Sequence, residues 1–322
     1  MISKRLTLLS ILLLSVLFSK AQQKNYQNEA GFQTDNDSYL AQGSDKYYTN
    51  GLFLYFRHAL QTDTSNAKLF GKVLGFEVGQ KMFNPQSAVI PAARYVDRPF
   101  AGYLYLGSSL QYLFKNESVL KLGLQLGVTG PAALGQEAQQ FIHKLLGFYP
   151  PQGWQYQIKN NVGVNLAGNY DRLFFRKNWF DATGNSYANV GTTFTGAGAG
   201  LTLRFGTFNP LYRSVTSSRL IAKNRLIKEA QRREFFFYLK PALSYVAYDA
   251  TVQGSLFHKY KVLNLTEITG NVTPFVFSQE VGGALTAGRW AFNLAAIFKT
   301  KEVKEMAQAH QWGTATFLYR FN

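Results

Sequence analysis

The chain has 322 residues, with 34 Lys and Arg against 18 Asp and Glu, for a formal net charge of +16. Only 16% of residues are charged, while 16% are aromatic and 46% hydrophobic, which excludes a disordered chain. The absence of cysteine excludes disulfides, thiolate catalysis and Cys-ligated metal sites. A mean hydropathy of −0.14 excludes a helical membrane protein.

Residues 1–21 read MISKRLTLLSILLLSVLFSKA, with Lys4 and Arg5 ahead of an apolar stretch from Leu6 to Phe18. Ser19 and Ala21 sit where a signal peptidase reads small residues, so this segment is a predicted secretory signal. The apolar stretch is too short for a transmembrane helix. Its removal takes away Lys4, Arg5 and Lys20 and leaves 22–322 as a single predicted domain. No later segment has 18 consecutive apolar residues.

Strand periodicity dominates the rest of the chain. Gly51–Leu60 and Tyr103–Phe114 alternate, and in Val119–Val128 the odd-even pattern sets Leu120, Leu122, Leu124 and Leu126 against Lys121, Gly123 and Gln125. The same period returns at Thr192–Gly206, Glu234–Tyr248, Arg289–Phe298 and Gly313–Phe321. These runs are longer than the strands of a soluble sandwich and match the roughly 9–11 residues that cross a bilayer at a tilt. The predicted fold class is an all-β, transmembrane antiparallel barrel. The final strand ends in Phe321 followed by Asn322, like the address read by outer-membrane assembly machinery.

Two stretches break the pattern. Ala133–Gly147 has Leu134, Ala138, Phe141, Ile142 and Leu145 at helical spacing, with Gly147 as a stop. Arg213–Glu234 carries seven Lys and Arg against two Glu and reads as a basic helix or long loop. Near the mature start, Asp35, Asn36, Asp37, Ser38 and Asp45 gather oxygen ligands suited to Ca²⁺, without the spacing of an EF-hand. On composition alone a polar turn is the favoured reading. Likewise His143 alone reads as an ordinary satisfied histidine, and no Gly-x-Ser-x-Gly elbow is present.

TDNDSYL, SDKYYTNG, VDRPFAGYLYLG, GVTGPAALGQEAQQFIHKLLG and GWQYQIKNN occur in that order between Thr34 and Asn161. This series resembles the outer-membrane lipid A 3'-O-deacylases, the LpxR family. The resemblance implies a barrel of about twelve strands with a short helix in an extracellular loop. It also implies Ca²⁺ as cofactor, lipid A or lipopolysaccharide as substrate, and outer-membrane lipid rather than nucleic acid as surroundings. Carried onto this sequence, it places Asn36 and Asp37 at the metal, matches Thr49 to a threonine of the catalytic set that also includes Asn36 and Asp37, and makes His143 the activator of the attacking water.

Two positions depart from the family pattern. MFNPQSAVI lacks the family's lysine, with Lys81 just before it, and the glutamate expected six residues after the histidine is Tyr149. A non-catalytic barrel that binds lipopolysaccharide and an outer-membrane phospholipase are the alternative functions. The basic segment reads as a solvated loop or as a phosphate clamp made by Arg219, Lys223 and Arg225. The clamp requires an extracellular placement, as expected of a long connection.

Overall fold

The computed structural model describes residues 26–40, 45–62, 68–215, 233–257 and 267–322. Twelve antiparallel strands close into one barrel: β1 (Asn28–Asn36), β2 (Tyr47–Leu60), β3 (Leu69–Asn84), β4 (Ala101–Phe114), β5 (Ser118–Thr129), β6 (Asn161–Arg176), β7 (Phe180–Gly191), β8 (Phe194–Thr207), β9 (Phe235–Asp249), β10 (Phe275–Ala287), β11 (Trp290–Lys299) and β12 (His310–Phe321). Each strand pairs with its sequence neighbour, and β1 also pairs with β12, so no edge is left open. The seven alternating runs read from sequence correspond to β2, β4, β5, β8, β9, β11 and β12. No described helix is long and apolar enough to cross a membrane. The predicted signal segment lies outside the described residues.

Alternation sorts the side chains. Val78, Leu106, Leu126 and Val164 are directly paired across four strands, and all are between 44% and 58% exposed on the outside. Their neighbours Glu77, Tyr105, Gln125 and Asn165 instead line the interior, where two overlapping polar cavities of about 640 and 700 Å³ lie. A barrel that turns aliphatic rows outward and polar rows inward is solvated by hydrocarbon, because water is the worse partner for those rows.

The two rims differ. One carries the connections 37–46, 85–100, 130–160, 250–274 and 300–309 and a single tight turn, 192–193; the other carries both described termini, the connection 61–68 and the short turns 115–117, 177–179 and 288–289. Short turns mark the periplasmic rim, so the first rim is extracellular. The β8–β9 connection departs from that rule and lies on the periplasmic rim. Its first part folds across the barrel mouth. The Glu234 carboxylate accepts from the Val215 amide (2.7 Å), the Asn209 amide (2.9 Å) and the Ser214 hydroxyl (2.7 Å). Arg204 makes a two-pronged contact with Asp181 at 2.9 and 2.6 Å. These buried charges are tolerated because each is met by several opposing groups.

This corrects the placement of the basic segment. Arg219, Lys223 and Arg225 lie outside the described residues, but the described ends of their connection, Val215 and Arg233, belong to the rim opposite His143. Length alone misplaced the connection, whose described start, 208–215, packs against the strand ends of this rim.

Helix α1 (Gly135–Leu146) lies in the β5–β6 connection, ending at Gly147 in a left-handed conformation (φ 72°) that glycine adopts without strain. It packs on the outside of the wall over β3 and β4. Gln80 donates from Nε2 to the carbonyl of Ala133 at 2.7 Å, and the outward residues Met82 and Asn84 of β3 are fully covered. Close seating requires Gly102, where a Cβ would come within 3.0 Å of the Ala133 Cβ and 3.2 Å of the Gly135 amide. Gly102→Val is expected to lift α1 at a cost of about 1–3 kcal/mol, the usual penalty of overpacking. Limited proteolysis should then cut within 131–148 roughly tenfold faster, with the barrel's heat-shifted gel mobility unchanged.

Candidate active site

The site forms between the outer wall and α1. Strand β2 delivers two polar residues to it through a bulge. Tyr48 pairs with Phe83 and Asn50 with Met82, so Thr49 is the extra residue between them. Tyr48 stays inside the barrel, where its hydroxyl donates to Asp35 at 2.7 Å. Thr49 and Asn50 then both belong to the outer side, a redirection that unbroken alternation forbids. Alternation likewise separates Asp35, in the lumen, from Asn36, whose amide donates to Asn50 Oδ1 at 2.6 Å.

Asp37 follows in the turn Asp37–Leu40 and is 2% exposed. Its Oδ2 accepts from the Lys46 amide at 2.9 Å, while Oδ1 is buried with no hydrogen-bond partner. Burial above all, with a smaller push from the Asp45 carboxylate, raises its pKa to about 7. The Lys46 amide and the Thr49 hydroxyl oppose that rise.

From the other side comes His143, 2% exposed on the buried face of α1. Its Nδ1 meets the Tyr149 carbonyl, and its Nε2 lies 3.0 Å from Asp45 Oδ2. A carbonyl only accepts, so Nδ1 carries a proton and Nε2 is the basic atom of the ring. Nε2 faces the Asp45 carboxylate at hydrogen-bond distance. Asp45 also accepts from the Thr49 hydroxyl at 3.1 Å and from the Tyr149 hydroxyl at 3.0 Å. The Tyr149 hydroxyl is pushed up to about 12 by burial and by Asp45, and so remains a donor.

The structure thus brings together Asn36, Asp37, Thr49 and His143, as read from sequence. Two participants lie outside that set of four. Asp45 stands at the centre, in contact with Thr49, His143 and Tyr149; its presence in the oxygen-rich stretch was the available signal. Gln139, one turn before His143, is fully buried on the same face. Trp154 Nε1 donates to Gln139 Oε1 at 2.8 Å, which fixes the amide and leaves Nε2 as a donor without a partner. Lys81 is not part of the site. It faces the lumen on β3 and lines the interior cavity with Glu77 and Asp35. Neither interior cavity is lined by His143, Asp37 or Thr49.

Among the described residues no three His, Asp or Glu side chains converge as a ready metal cluster. The donors present are of another kind: one carboxylate oxygen without a partner (Asp37 Oδ1), the Asp45 carboxylate, the Thr49 hydroxyl and the Asn36 amide. Oxygen donors of mixed type are what Ca²⁺ takes, and an unmatched buried carboxylate oxygen is what a cation would satisfy.

A family model described as outer membrane protein LpxR matches residues 6–321. The solved structure of LpxR from Salmonella typhimurium is similar over 91% of this chain and 100% of that chain, with a TM-score of 0.73 and 23% identity. The beta domain of the Bordetella autotransporter BrkA covers 92% of this chain and 100% of its own at a TM-score of 0.51 and 10% identity, a likeness of barrel alone. A search of curated proteins finds no match. With the twelve-stranded outer-membrane barrel, the wall-seated helix and a family match over nearly the whole chain, the protein belongs to the LpxR family of outer-membrane proteins.

Proposed function

We propose that the protein is a Ca²⁺-dependent esterase that removes an acyl chain from lipid A, in the manner of a lipid A 3'-O-deacylase, with His143 activating the attacking water. The observation that carries this reading is a buried histidine tethered to Asp45, beside the partnerless Oδ1 of Asp37, on the side of the wall that faces lipid. An acylated substrate anchored in the outer leaflet reaches such a site laterally, without entering the lumen.

The chain's own groups divide the work. The Tyr149 carbonyl holds the imidazole in the tautomer that leaves Nε2 basic. Nε2 can take a proton from water, and Asp45 then stabilises the imidazolium. Asp37, with Asn36 and Thr49, would hold Ca²⁺. Bound there, the ion would polarise the ester carbonyl and offset charge on its oxygen by several kcal/mol. Gln139 Nε2 offers a further donor to substrate on the same helix face.

Incubating the purified protein with lipid A, with Ca²⁺ or with chelator, and weighing the product by mass spectrometry tests this. Loss of one acyl chain only with Ca²⁺ supports it. Hydrolysis of diacyl phospholipid with lipid A untouched would make the protein a phospholipase, and no hydrolysis of either would leave a lipopolysaccharide-binding barrel.

Tyr149 stands where the family's glutamate is expected. Tyr149→Phe removes one of three contacts to Asp45 and leaves the backbone carbonyl in place. A single neutral donor to a carboxylate contributes about 1.5–3 kcal/mol when buried, less at this exposed position. The expected result is a roughly 3- to 10-fold lower kcat with KM unchanged.

A further inference from the structure

The apolar stripe that marks α1 in the sequence is not the face it packs with. Gly135, Gln139 and His143 form the buried side, while Leu134, Phe141, Leu145 and Phe148 are 51%, 67%, 72% and 51% exposed. Phe141 and Leu145, four residues apart, lie in one line along the helix, and Leu134 and Phe148 flank its two ends. A second exposed stripe, Glu137, Gln140 and Lys144, runs beside it and is wholly polar.

The position of the helix says what the apolar line meets. Gln80, which holds the start of α1, pairs with Leu104; the next outward pair toward the membrane centre is Val78 and Leu106, already 45% and 58% exposed. That step is two residues, about 7 Å. The line of Leu134, Phe141, Leu145 and Phe148 is therefore continuous with the barrel's lipid-facing rows. We propose that α1 is an interfacial helix immersed in the outer leaflet, with this line among the acyl chains of bilayer lipid and the Glu137–Gln140–Lys144 stripe toward the headgroups. Amphipathic helices with one apolar and one charged exposed face lie in the membrane plane in this way. The immersion makes the His143 cleft open at the depth of acyl carbonyls rather than in bulk water. It holds whether or not the site is catalytic.

The chain has no cysteine, so one introduced cysteine carries one spin label. Phe141→Cys, Leu145→Cys, Lys144→Cys and, as a wall control, Leu126→Cys are labelled and refolded into phosphatidylcholine vesicles. Heat-shifted gel mobility confirms the barrel in each. Accessibility to oxygen, which concentrates in hydrocarbon, is compared with accessibility to a water-soluble nickel chelate. Labels at 141 and 145 are expected to favour oxygen as position 126 does, with a ratio roughly tenfold above that at position 144. Ratios at 141 and 145 equal to that at 144 would show a solvated helix and overturn the proposal. Shielding from both reagents would also overturn it, by showing that protein, such as a second copy, covers the line.

Discussion

His143→Ala is expected to lower lipid A deacylation by about 10²- to 10⁴-fold, the usual worth of a positioned general base. KM should change little, because the imidazole is buried between α1 and the wall and its polar contacts are to Asp45 and the Tyr149 carbonyl. A cavity at a buried position can disturb the seating of α1, so His143→Gln is the second variant; it keeps volume but lacks a basic nitrogen. Both variants should retain the heat-shifted mobility of an intact barrel. Asp45→Asn should lower the rate as well, because an amide can donate to Nε2 but cannot hold the imidazolium that forms there. Full activity in His143→Gln would remove the base from the mechanism and leave the site to another chemistry.

How much of this was legible in the sequence depended on which side of a strand carried the message. β5 announced itself because Leu120, Leu122, Leu124 and Leu126 all meet lipid while Lys121 and Gln125 face the lumen. β7 did not, because between Phe180 and Val190 at its two ends the outward row is Ala182, Gly184, Ser186 and Ala188, with little hydrophobic contrast to read. There the lipid face is supplied from next door. The Phe174 ring of β6 lies over Gly184, in the space that a Cβ there would occupy. β1 is equally silent, with Phe32 its one large exposed apolar residue. The site was legible in its segments, since the ordered blocks carried Asn36, Asp37, Thr49 and His143. What could not be read was a bulge. Without it, Thr49 and Asn50 would face opposite sides of the wall, and no local pattern near SDKYYTNG marks the extra residue. Asp45 was hidden for a related reason: its role exists only because α1 folds back onto the outside of the wall from nearly 100 residues away. Helix amphipathicity misdirects as well, because α1 buries its polar side.

Asp37→Ala is expected to abolish Ca²⁺ binding at the site and, with it, deacylation. Asp37 Oδ1 is the buried carboxylate oxygen of the site that no protein group satisfies, and a cation would neutralise its charge. The pH dependence gives a sharper test. The Asp37 carboxyl titrates near 7 in the metal-free fold, well above its ordinary 3.8, chiefly because burial disfavours its charged form. Ca²⁺ needs the ionised form, so binding must release the proton below that pH. Affinity for Ca²⁺ should therefore fall about tenfold for each pH unit below 7 and level off above it. The sign for stability is the reverse. A carboxyl whose pKa is raised in the folded protein favours the fold at low pH, and that contribution is lost as pH rises from 3.8 through about 7. At pH 8 the metal-free protein thus carries a buried, uncompensated charge, and Ca²⁺ should restore its resistance to heat; at pH 5 it should not. Asp37→Asn removes the charge and the titration together. In that variant, calorimetric Ca²⁺ titrations at pH 5.5, 6.5, 7.5 and 8.5 should show weak binding with no slope. A wild-type affinity that is independent of pH across that series would mean that the cation is held elsewhere and that Asp37 serves only the turn.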